Sequence, residues 1–150
     1  MKKIIAFLFF VTLAFGVEQK VVFNLTTSNA QVFENNIIKN IKFLKKNFND
    51  QNDSLSVTVV ISGGAYKFFI EDISVSKYKD DADLKLLRLH LSDKLQHLSN
   101  EGVIFEACSV GLRKRHINKE VLYPYVKIAP NRTFALIKWQ NRGYSYIEVP

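Results

Sequence analysis

The chain reads as a doubly wound α/β domain, a three-layer α/β/α sandwich on a mostly parallel five-stranded sheet. Two patterns predict it. Short runs rich in Val, Ile and aromatic residues alternate with longer stretches whose apolar residues recur every three or four positions. The second run, Leu55 to Ile61, is a dense Val and Ile run of the kind buried on both faces of a parallel sheet. Such alternation calls for right-handed crossovers and a sheet covered on both sides.

Taken in order, Lys20 to Leu25 is the first strand and stops at Thr26-Thr27-Ser28-Asn29, a cluster of helix-capping types. From Ala30 to about Phe48, Val32, Phe33, Ile37, Ile38, Ile41, Leu44 and Phe48 form one helical face with lysines opposite. A polar turn, Asn49 to Asp53, leads to the second strand, which ends at Ser62-Gly63-Gly64, and Ala65 to Ile70 suits one or two helical turns. Glu71 to Asp83 has no periodicity and is expected to be a mobile loop; Asp80, Asp81 and Asp83 suit the first turn of the helix that follows. That helix carries the stripe Leu84, Leu87, Leu91, Leu95, Leu98 and stops at Asn100-Glu101-Gly102. Val103 to Ala107 is the third strand, Cys108-Ser109 opens a short basic helix, and Val126 to Ala129 is the fourth strand. A helix capped by Asn131 or Thr133 runs to Gln140, and Tyr144 to Val149 closes the sheet.

Ahead of all this stands Met1-Lys2-Lys3 and an apolar run from Ile4 to Phe15, broken only by Thr12. The run is about a dozen residues where a bilayer-spanning helix needs about 20, so residues 1–16 are expected to be a cleavable export signal, with Ala14 and Gly16 as the small residues before the cut. Residues 17–150 then form one domain in the periplasm, off the membrane. Without Lys2 and Lys3 the formal net charge of +7 becomes +5, spread without a long basic run, which argues against nucleic acid as partner.

The chain has one cysteine, Cys108, so no internal disulfide forms. It directly follows the third strand, where open α/β sheets place their sites. If Ser109 starts a helix, its N–H groups at Ser109 and Val110 and the basic Arg113 and Arg115 favour a reactive sulfur. A small apolar plug at a strand end fits equally well. His90, His97 and His116 lack zinc-ligand spacing, and no metal or cofactor is expected; a flavin would follow from fold class alone. Ser62-Gly63-Gly64 suits a tight turn or an anion-facing loop, and Tyr66 a pocket wall or the core. Trp139, Tyr144 and Tyr146 invite the same two readings.

Gly102 to Arg115, with Cys108 between an apolar strand and a basic helix, resembles the DsrE/DsrF-like (TusD-related) family. Val59-Val60-Ile61-Ser62-Gly63-Gly64 is similar to the loop after that family's second strand. Ala129-Pro130-Asn131, Gln140 and Gly143-Tyr144-Ser145-Tyr146-Ile147 are similar to its closing helix and strand. The resemblance spans residues 17–150 and implies a flavodoxin-like fold, a homo-oligomer, and Cys108 as a persulfide carrier or sulfurtransferase nucleophile. Ser109, Val110, Arg113 and Arg115 would stabilise the anion, with Ser62, Gly63, Gly64 and Tyr66 as pocket. The partner would be a sulfur donor or acceptor protein or a small polysulfide. The alternative is a non-catalytic oligomeric module that binds a ligand or partner and keeps Cys108 for structure.

Overall fold

The computed structural model describes residues 16–150; residues 1–15, and with them most of the expected export signal, lie outside. Five strands, β1 (Glu18–Leu25), β2 (Ser54–Ile61), β3 (Ile104–Cys108), β4 (Lys127–Ala129) and β5 (Ser145–Val149), form one sheet in the order β4-β3-β2-β1-β5. Every pairing is parallel. All carboxyl ends therefore share one edge.

Helix α1 (Ala30–Phe33) continues through π-helical turns at Glu34–Lys39 into α2 (Asn40–Asp50). The cap at its start is Asn29, whose Oδ1 accepts from Gln31 and Val32 N–H. Helix α3 (Ala82–Asn100) is capped by Asp81, which accepts from Leu84 N–H at 2.9 Å and holds Lys67 Nζ at 2.9 Å. Leu84, Leu91, Leu95 and Leu98 of its stripe are buried. The segment expected to be a mobile loop contains a 3-10 turn, Ile73–Val75, capped by Asp72. Asx capping is a local device that apolar periodicity does not reveal.

The layers are unequal. Val21, Phe23 and Leu25 of β1 face the larger core with α1, α2, α3 and the short α4 (Ser109–Lys114), where Phe33 stacks on Phe68 at 4.3 Å. Val22 and Val60 face the other way, beneath one helix, α5 (Arg132–Gln140), through Ala135 and Trp139. On that side β3 places Glu106, 6% exposed, whose carboxylate accepts from Lys138 Nζ at 2.6 Å and Trp139 Nε1 at 2.7 Å. A single nine-residue helix leaves Phe134, Ile137 and Tyr146 exposed. Among the described residues no helix is long and apolar enough to cross a membrane.

Candidate functional site

The β3–α4 corner at the carboxyl edge brings the cysteine together with three other chain segments. Cys108 is the last residue of β3 and the N-cap of α4, with extended backbone (φ −71°, ψ 114°) and no side-chain capping bond. It is 5% exposed. Ser62 and Cys108 follow the last registered β2–β3 pair, Ile61 with Ala107, and thus stand side by side at the sheet's edge. Ser62 is also 5% exposed, and its Oγ has no hydrogen-bond partner in the protein.

Ser62-Gly63-Gly64 is a tight turn: Ala65 N–H donates to Ser62 O and Gly64 N–H to Thr26 O. Gly63 has a φ of +59°, and a Cβ on Gly64 would stand 2.6 Å from Ser28 Cβ, so the turn presses on the loop after β1. The 3-10 turn that follows (Ala65–Phe69) carries Tyr66 back to β3. Its hydroxyl donates to Cys108 O at 2.8 Å, and its ring lies over Gly111, where a Cβ would meet Tyr66 Oη at 2.1 Å. Fully buried, Tyr66 is core and site wall together. Burial, more than the adjoining Cys108, pushes its phenol well above the usual tyrosine range, while Arg115 and Arg132 pull it down.

Arg115 lies over the Tyr66 ring at 5.5 Å. Arg113 Nη1 donates to Ser109 Oγ at 3.3 Å, and Ser109 Oγ donates to Pro130 O at 2.6 Å, tying α4 to the loop after β4. Arg132, the first residue of α5, follows that loop. The structure thus brings together Ser62, Tyr66, Cys108, Ser109, Arg113 and Arg115 of the expected set. Gly63 and Gly64 serve the turn itself, and Val110 is a half-buried residue of α4. Sequence reasoning missed Arg132 and Gly111. Arg132 was within reach of the carboxyl-end rule, since it follows β4 as Cys108 follows β3; Gly111 carried no signal, because only its tertiary neighbour makes its lack of a side chain matter.

The more open grooves lie elsewhere. The most voluminous of the four described, about 930 Å³, runs between α1 and α3 and includes Ser28, Glu34, Lys39, His90 and Lys94; Cys108 lines none of the four. In that groove Lys94 Nζ bonds Glu34 at 2.9 Å and holds its carboxyl below the usual range. Among the described residues no group of three His, Cys, Asp or Glu side chains gathers as metal ligands would.

The profile of the DsrE/DsrF-like family matches residues 19–149. A solved structure from Methanobacterium thermoautotrophicum, the protein of unknown function MTH1491, superposes with a TM-score of 0.67 at 22% identity, covering 87% of this chain and 98% of that one. No curated protein matches the chain.

Proposed function

Because the chain belongs to the DsrE/DsrF-like family, which is associated with sulfur relay, we propose that it carries or transfers sulfane sulfur as a persulfide on Cys108. The observation that supports this reading above the others is position: the single cysteine ends an interior strand at the sheet's carboxyl edge, with Arg113 and Arg115 in the short helix and C-cap that follow it. In the proposed cycle the Cys108 thiolate attacks the outer sulfur of a donor persulfide. The donor S–S bond breaks, its thiolate leaves with the bonding pair, and Cys108 holds the sulfur as a persulfide. An acceptor thiolate then attacks that outer sulfur and releases Cys108. Backbone N–H groups of Ser109 and Val110 and the guanidinium groups of Arg113 and Arg115 steady the anion. Since Cys108 is 5% exposed, the cycle requires the β3–α4 corner to open locally.

That same burial favours a second reading, a non-catalytic oligomeric module with a structural Cys108. Mass spectrometry of native protein after polysulfide treatment decides between them. A persulfide adduct on Cys108, absent in Cys108→Ser, supports the relay. No adduct, with alkylation only after denaturation, overturns it and leaves the binding module.

Two proposals accompany this reading. Residues 1–16 direct residues 17–150 to the periplasm and are removed; Val17 already belongs to the fold, its N–H donating to Asp53 Oδ1 at 2.7 Å. N-terminal sequencing of exported protein should begin at or beside Val17, and an intact Met1 would refute the cut. The domain assembles with copies of itself, for which the exposed Phe134, Ile137 and Tyr146 speak. Light scattering giving a monomer mass would refute that.

A further inference from the structure

Three arginines stand about the Cys108 corner on two chain segments, Arg113 in α4 and Arg115 as its C-cap, and Arg132 in the first turn of α5. Contacts hold the first two there, and chain register places the third: Ala129, three residues before Arg132, pairs with Cys108 across β3 and β4. Arg113 bonds Ser109 Oγ, which bonds Pro130 O two residues before Arg132, while Arg115 covers Tyr66, whose hydroxyl bonds Cys108 O. Among the described residues none of the three has a carboxylate partner; every described ion pair uses Lys or His. Arg113 and Arg132 are exposed and Arg115 half-buried.

A second observation lies at the same corner. The Ser62 hydroxyl, nine-tenths buried beside Cys108, has no partner in the protein. A buried hydroxyl without a partner is costly, and an anionic oxygen or sulfur admitted beside Cys108 would satisfy it.

We infer that Arg113, Arg115 and Arg132 form a binding subsite for a small doubly charged oxyanion. Guanidinium forks match oxyanion oxygens in pairs, and three of them exceed what a singly charged persulfide requires. Resting on the sulfur-handling reading, this names the donor class: a sulfane sulfur carried on an oxidised sulfur oxyanion, with thiosulfate the simplest case. The Cys108 thiolate attacks the outer sulfur of thiosulfate, the thiosulfate S–S bond breaks, and sulfite leaves with the bonding pair to the arginines. Cys108 keeps the persulfide anion. Charge balances, and no oxidant or reductant enters.

The test separates binding from transfer. Calorimetric titration of Cys108→Ser protein with sodium thiosulfate, and separately with sodium sulfate at matched ionic strength, should show saturable binding of both. Arg132→Gln should weaken each by at least about ten-fold, the loss of one charge-assisted hydrogen-bond pair, and Arg132→Lys by less. Arg113→Gln should repeat the effect from the other segment. No saturable binding of either anion, or unchanged binding in Arg132→Gln and Arg113→Gln, overturns the subsite. If thiosulfate binds but leaves no adduct on native Cys108, thiosulfate as donor is overturned and the anion subsite stands. If polysulfide charges Cys108 while the arginine variants bind both anions as the parent does, the subsite fails and the relay stands.

Discussion

Replacing Gly111 with alanine sets two opposed effects against each other inside α4. On an isolated helix the change would stabilise by about 1 kcal/mol, because glycine loses more backbone freedom on folding. Here the new Cβ would stand 2.1 Å from Tyr66 Oη, 2.9 Å from Cζ and 3.0 Å from Cε2. The ring, wholly buried, would have to shift by nearly an ångström, and core overpacking of that kind costs about 1–3 kcal/mol. The shift also pulls the hydroxyl from Cys108 O, and a buried group left without its partner costs about 1–3 kcal/mol. Net destabilisation is therefore about 1–5 kcal/mol, which urea unfolding of residues 17–150 would register as a lower midpoint at unchanged slope. Tyr66→Phe alone should cost about 1–2 kcal/mol, and the double variant less than the two single changes together, because the most severe contact disappears with the hydroxyl. A Gly111→Ala protein as stable as the parent, or more so, would refute the argument that Tyr66 locks the corner.

Asp81 caps α3 and pairs with Lys67, and the Lys67 hydrogen bond, ahead of the Leu84 N–H, depresses its pKa below the ordinary 3.8. A depressed carboxyl stabilises the fold fully above the ordinary value and loses that contribution as pH falls through the lower folded value. Asp81→Ala should thus cost about 1 kcal/mol at neutral pH, the difference from the parent narrowing below about pH 4, as followed by thermal melts across pH. A difference that stays constant down to pH 2 would refute it. Trp139→Phe removes the indole N–H from the buried Glu106 carboxylate and should destabilise by about 1–3 kcal/mol in urea; a change under about half a kcal/mol would refute the bond's role. Asn131 Oδ1 accepts from Phe134 N–H at 2.7 Å, so Asn131→Ala should cost about 1 kcal/mol, whereas Asn131→Asp should cost little.

The order and type of the elements were legible because their causes are local. A leucine every three or four residues makes a helical face, a Val and Ile run makes a buried strand, and Asn29 and Asn131 cap the helices they precede. The place of Cys108 at the end of β3 was legible for the same reason. The 3-10 turn at Ile73–Val75 was hidden by the absence of any period in its segment.

What sequence alone determined, then, is the alternation of strands and helices and one cysteine beside a basic helix. Tertiary structure alone decided that the cysteine is buried, that the hydroxyl of Tyr66, 42 residues earlier in the chain, bonds its carbonyl, and that β4 pairs beside it at Ala129, three residues before Arg132. It also placed Glu106 against Trp139, 33 residues away. The physical reason is range: capping and periodicity act within a turn or two of chain, whereas burial and side-chain contact depend on which strands pair and which helix lies over them.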